Sequence, residues 1–302
     1  MTRISLSNEC NASWHLTELG DPKDVDPRTG AKMQSFSRLS INQYTVRNWT
    51  IPQLLEGCAV EQIPFVSLWR DKVAETGLDE TVKLLGDTGI KVSSVCRGGF
   101  FPAATLDQQT RNVEENCRAI DEAAALGAEV LVLVCGGLLN RDLDRSRDMV
   151  AEGIARLVPY AEQAGVKLGI EPLHPMFAAD RSVIVSLSQA NGIVELVGSG
   201  NLGIVIDVYH VWWDPAVYSE ITRASGRIFG FHVNDWIVPV PDMLNGRGIM
   251  GDGVIEIPRL RNAVSEAGYL GPIEVEIFNN QLWRLPGREL LQLVKDRFLT
   301  HV

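Results

Sequence analysis

The sequence predicts an α/β fold, a single (β/α)8 barrel with an N-terminal extension, and three observations carry that expectation. Eight short β-branched runs recur across residues 38–279, with helical patterns between them. Glycines close several of those helical patterns just before the next run. No G-x-G-x-x-G or P-loop follows the first run, so a doubly wound open sheet lacks its usual support and no nucleotide cofactor is expected.

The strand candidates, in order, are Arg38–Thr45, Pro64–Arg70, Lys91–Gly98, Glu129–Gly136, Lys167–Leu173, Leu202–His210, Ile228–Asp235 and Pro272–Asn279. Helix candidates fill the gaps. Pro52–Gln62 places Leu54, Leu55, Cys58 and Ala59 at helical spacing, and Asp107–Leu126 gathers Val113, Cys117, Ile120 and Ala124 on one face. The third long candidate is Asp144–Ala164. Gly89, Gly127, Gly165 and Gly268 stand where a helix would end in a left-handed cap. Strands alternating with helices pair in parallel through right-handed crossovers, and eight such units close a barrel. Two domains follow: an arm, 1–37, containing D-P-K-D-V-D-P-R-T-G, and the barrel, 38–302. A Gly/Pro-rich loop, Ile237–Gly253, interrupts the latter.

The chain has 302 residues, 45% of them hydrophobic and 22% charged, and a net charge of −10. It is long enough to bury a sizeable core. An acidic balance without a basic stretch argues against nucleic acid or anionic lipid as the main partner. Five cysteines form no C-x-x-C pair. With no apolar signal-peptide core at the start, they place the expected setting in a reducing, cytoplasmic compartment. The most apolar stretch, Val130–Leu139, is too short to span a bilayer.

Barrel active sites lie at the C-terminal ends of the strands. There the fifth strand carries Glu171, the sixth Asp207, the seventh His232 and the eighth Glu274 and Glu276. The period of two sorts their directions. If Ile204, Ile206 and Val208 face the helices, Asp207 points into the barrel. If Phe229, Phe231 and Val233 face the helices, His232 and Asn234 point inward. Ile273, Val275 and Ile277 leave both strand-eight glutamates inside, and Glu171 shares the parity of Gly169. Buried carboxylates without cationic partners need a cation. Three carboxylates and one imidazole, Glu171, Asp207, His232 and Glu276, make an O3N set. It favours Mn²⁺, then Mg²⁺, over Zn²⁺, Co²⁺ or Fe²⁺. Glu274 lies deeper, as a supporting carboxylate. Any one of these acids alone is more often a structural group; their matching parity on neighbouring strands carries the expectation.

These segments resemble the xylose-isomerase-like TIM barrel superfamily, the sugar phosphate isomerase/epimerase group. The matching pieces are I-N-Q-Y-T, G-I-E-P, I-D-V-Y-H, H-V-N-D, G-D-G-V-I and G-Y-L-G-P-I-E-V-E, spread over about residues 38–280. The resemblance implies that Glu171, Asp207, His232 and Glu276 hold the metal and that His210 contacts substrate. The family often carries an Arg shortly after the strand-seven His. Here the neighbours of Val238 supply none, and Arg247 is the candidate to serve instead.

A metal on a carbonyl and its adjacent hydroxyl acidifies the C–H between them and stabilises the enediolate. Glu171 and Glu276 are candidate acid/base groups, as the resemblance implies, and His174 and His210 are additional ones. Trp69, Trp212, Trp213 and Trp236 fall near strand ends, and Phe100 and Phe101 follow strand three, which would wall the barrel mouth. Arg70 and Arg97 are candidate contacts to a carboxylate, a phosphate or an inward Glu. Reprotonation gives isomerisation or epimerisation of a ketose-like sugar. The alternative is elimination on a 3-oxo-glucoside, the path of the α subunits of C-glycoside deglycosidases, which the chain also resembles. Those α subunits work with a small β subunit, so the partners expected are a sugar or glycoside and either a second copy or a small second chain.

Overall fold

In the computed structural model, residues 36–302 are described. The arm at 1–37, with Cys10, Trp14 and His15, falls almost wholly outside them. The described chain contains strands β1 (Leu39–Asn42), β2 (Phe65–Trp69), β3 (Lys91–Gly99), β4 (Val130–Val134), β5 (Lys167–Ile170), β6 (Leu202–Asp207), β7 (Ile228–Val233), β8 (Asp235–Trp236), β9 (Arg247–Gly248) and β10 (Ile273–Val275). Eight of them close a parallel barrel in the order β1-β10-β7-β6-β5-β4-β3-β2, while β8 and β9 form a small antiparallel ladder beside its mouth. The expected barrel is therefore present. No described helix is long and apolar enough to cross a membrane.

The three long helix expectations correspond to helices Ile51–Val60, Leu106–Ala125 and Leu143–Ala164. The second and third start where a side chain satisfies free amides: Thr105 accepts from Gln108 N at 3.2 Å and Asp142 from Arg145 N at 2.9 Å. The four anticipated capping glycines all adopt positive φ, between 65° and 95°.

Two layers of core follow from strand alternation. Outward residues such as Ile204, Ile206, Phe231, Val233, Ile273 and Val275 pack under the helices. Inward residues Cys96, Val130, Val132 and Val205 make a separate cluster inside the barrel, joined by Phe229 and Trp69. Phe229 corrects the sequence expectation that it would face the helices. A register shift pairs Ile204 with Ile228 but Val205 with Gly230, so β7 gains one residue there and Phe229 turns inward. Gly203 makes room: a Cβ there would lie 2.7 Å from the Phe229 ring and 2.3 Å from Arg227 O.

Two further expectations are corrected. The sixth strand stops at Asp207, and Val208–Val211 coils into a helical turn capped by the Asp207 side chain. Phe101 is buried against the helix Leu143–Ala164, where a Cβ on Gly153 would meet its ring at 2.4 Å; it belongs to the core, not to the mouth.

Candidate metal centre

Glu171, Asp207, His232 and Glu276 converge at the C-terminal end of the barrel. All four are buried, and one ligand atom from each lies within 4.8 Å of the others. An ion with ligands at about 2.1 Å separates opposite ligands by about 4.2 Å, so the spacing fits. Asp207 and His232 sit side by side in the register of β6 and β7, and Glu276 follows directly on β10. His232 Nδ1 faces Glu171 Oε1 at 3.5 Å and Glu276 Oε2 at 3.6 Å. These separations exceed good hydrogen bonds. Accordingly, Glu171 Oε1 and His232 Nδ1 are buried with no hydrogen-bond partner among the described residues. A carboxylate oxygen and an imidazole nitrogen left without partners at one point are what a bound cation would complete.

Arg247 stands in for positive charge at the same point. From β9 its Nη1 donates to Asp207 Oδ2 at 2.7 Å and Glu276 Oε2 at 2.9 Å. Its guanidinium lies 4.8 Å from the ring centroids of both Tyr209 and Phe278. The sequence placed Arg247 near the site, and the fold brings it into contact with two of the four candidate ligands.

A second tier supports the first. Glu274 faces His232 Nε2 at 3.4 Å, on the ring edge opposite Nδ1, and accepts from Ser94 Oγ at 2.9 Å. Asn42 Nδ2 donates to Glu274 Oε1 at 2.7 Å and Glu276 Oε1 at 3.0 Å; its own Oδ1 is held by Trp69 Nε1 at 3.0 Å. Sequence reasoning missed Asn42 as a site residue. The signal was available, since Asn42 shares the inward parity of Ser40 between outward Leu39 and Ile41. Asn234 Nδ2 fixes Asp207 Oδ1 at 2.9 Å.

Electrostatics divide the carboxylates. Burial pushes the Glu171 carboxyl up to about 7, reinforced by the charges of Glu276 and Asp207 and opposed by His232. Burial works the same way on Asp207, but Arg247, His210 and His232 overcome it and hold the group at about 2. His232 is pulled down by burial and lifted more strongly by Glu274, Glu171 and Glu276, for a net rise. Burial drives His210 down to about 3, so its ring is neutral.

The remaining candidates are placed less uniformly. On the helical turn after Asp207, His210 sets Nε2 3.3 Å from Arg247 Nη2 and accepts from His174 N at Nδ1, 3.1 Å. The His174 ring packs between Trp213 and Trp236 and accepts from Met176 N, so it meets the centre through its backbone. Trp69 and Arg97 border the cavity over the ligands, together with Glu171, His210, Arg247 and Glu276. Trp236 stacks on Tyr209 at 4.7 Å in the adjoining wall, while Trp212 packs on the helix-facing core. Arg70 is committed elsewhere: it binds Glu122 at 2.6 Å and Glu115 at 2.9 Å on the helix Leu106–Ala125.

An eight-stranded barrel with a buried O3N cluster at its C-terminal mouth defines a class, and comparison with known proteins names it. Residues 58–296 match the family model described as xylose isomerase-like TIM barrel, and the chain belongs to that family. Among curated relatives, an inosose isomerase of Halalkalibacterium halodurans is 29% identical over 147 residues, covering 47% of this chain and 50% of that protein. An L-ribulose-5-phosphate 3-epimerase, UlaE, of Salmonella paratyphi A is 26% identical over 66% of this chain and 68% of its own length. A 3-dehydroshikimate dehydratase of Pseudomonas aeruginosa is 26% identical over 79% of this chain and 38% of its length. These curated relatives are named as an isomerase, an epimerase and a dehydratase, and the chain spans about half the length of the first of them. Among solved structures, protein SMc04130 of Sinorhizobium meliloti 1021 shares 43% identity at a TM-score of 0.87, covering 88% of this chain and 99% of that one. The IolI protein, solved with a zinc atom, shares the fold at 22% identity and TM-score 0.78, over 87% and 96%.

Proposed function

We propose that the protein is a divalent-metal-dependent enzyme that abstracts a proton next to the carbonyl of a keto-sugar or oxidised sugar, giving isomerisation or epimerisation. The carrying observation is the buried quartet Glu171, Asp207, His232 and Glu276, with its unpartnered Glu171 Oε1 and His232 Nδ1. Those four residues would hold the ion, and the donor set favours Mn²⁺. When bound, the ion supplies polarisation of a carbonyl and its neighbouring hydroxyl, acidifying the C–H between them.

The chain's own groups do the rest. Glu171 is the quartet carboxylate that Arg247 does not bind, and with Oε1 turned to the ion its other oxygen takes the proton. Glu276 Oε2 lies across the site, restrained by Arg247 and, through Oε1, by Asn42; it returns a proton from the other side. Neutral His210 presents Nε2 to substrate hydroxyls, while Trp69, Trp236, Arg97 and Arg247 bind and orient the sugar. His174 positions His210 through its amide. Named relatives that are an isomerase, an epimerase and a dehydratase support this proton chemistry. Elimination is the second reading, supported by the dehydratase; on a 3-oxo-glucoside it would involve a small second subunit.

The test is metal analysis of the full chain, followed by product analysis with ketoses and with an oxidised aryl C-glucoside, with and without Mn²⁺. We expect about one ion per chain and a metal-dependent epimeric product. Stoichiometry well below one, unrestored by added Mn²⁺, removes the reading. Free aglycone without any ketose product selects elimination.

A further inference from the structure

Beside the small cavity over the ligands, of about 50 Å³, opens a cleft of about 450 Å³. Trp69, Cys96 and Arg97 border both, so the two adjoin at these side chains. Tyr44, Phe100 and Asn112 complete the part of the cleft nearest Arg97. A substrate held at the quartet that reached past Arg97 would enter this cleft.

What the cleft offers is decided by which of its groups are already matched. Its acids are already engaged: Asp71 accepts from Tyr44 Oη at 2.8 Å, and Glu115 is bound by Arg70 at 2.9 Å and by Arg118 Nε at 2.8 Å. Its aromatic faces are also taken, since Tyr44 stacks on Trp69 with centroids 4.1 Å apart and Phe100 lies under the Arg97 guanidinium at 4.5 Å. Arg97 itself is half-buried, also sits 5.9 Å from the Trp69 centroid, and has no hydrogen bond or ion pair among the described residues. A guanidinium held by its face on rings keeps its N–H edge free, and that edge matches the paired oxygens of a carboxylate or phosphate. Arg181, on the wall of the smaller cavity, adds positive potential; its only ion pair among the described residues is with Asp180, at 3.8 Å.

We propose that this cleft is an anion subsite, in which Arg97 holds a carboxylate or phosphate carried by the substrate at a distance from its reacting carbon. The identity of the reacting half rests on the function proposed above; the anion site does not, and it is testable without metal. The full chain, stripped with EDTA, is titrated at constant ionic strength with inorganic phosphate and, separately, with acetate, following tryptophan fluorescence. We expect saturable binding of at least one anion, weakened about tenfold or more in Arg97→Met and partly kept in Arg97→Lys, both with wild-type melting curves. The stronger of the two anions identifies the group. No saturable binding by wild type, or equal binding by wild type and both variants, overturns the proposal. Failure of the metal reading would appear instead as absent ion stoichiometry, with phosphate or acetate binding unaffected.

Discussion

Two layers of the same barrel interior lie a few residues apart and obey opposite rules. In the lower layer, Val130, Val132, Val205 and Phe229 interlock, and Gly169 and Gly203 leave the space they fill. In the upper layer, carboxylates crowd an imidazole, and Glu171 Oε1, His232 Nδ1, Asn234 Oδ1 and Arg247 Nε go unmatched. The first is arranged for close packing, which stabilises the fold. The second retains buried charge that apolar residues of similar volume would not carry, a sign that it is kept for chemistry rather than stability. Strand parity points both layers inward; height along the strand separates their tasks.

That contrast can be broken most forcefully from above. Glu171→Gln should lower turnover by roughly 10²–10⁴-fold, the usual range for a lost acid/base group, while the melting temperature stays level or rises. Steady-state kinetics beside a thermal melt decides it, and a large fall in melting temperature would mean the upper layer is structural after all. From below, Val205→Ala should do the reverse. Removing two fully buried methyls and leaving a cavity costs about 2–3 kcal/mol in denaturant unfolding, with activity per folded molecule close to wild type. The smallest effect should come from the boundary between the layers. Glu274→Gln keeps the shape but weakens the grip on His232 Nε2, so metal affinity should fall about 10- to 100-fold by competition titration. Unchanged affinity would leave Glu274 as a buried structural acid.

The sequence made the eight strands, the capping glycines and the inward parity of Glu171, Asp207, His232, Glu274 and Glu276 legible, because each depends only on local pattern. It misread what depends on neighbours. Phe229 follows a one-residue shift between two strands that alternation along either strand cannot reveal. His210 returns toward Asp207 because the chain coils at Val208, where a β-branched run reads as continued strand. Arg70 and Arg97 look equivalent in sequence, both at strand ends. The acids that claim Arg70 come from a helix 45 and 52 residues away, while among the described residues the Arg97 guanidinium rests on rings and has no acid partner.

Asn42 has a further consequence. It lies on β1 and bonds to Glu274 and Glu276, 232 and 234 residues later, across the seam where first and last barrel strands meet. Thr45 reinforces that seam, donating to Val275 O at 2.8 Å and accepting from Ile277 N at 2.9 Å. Until residue 276 has been made and β10 has closed on β1, the chain holds Glu171, Asp207 and His232 without Glu276. In the proposed metal reading, the closing of the cylinder and the completion of the quartet are then one event.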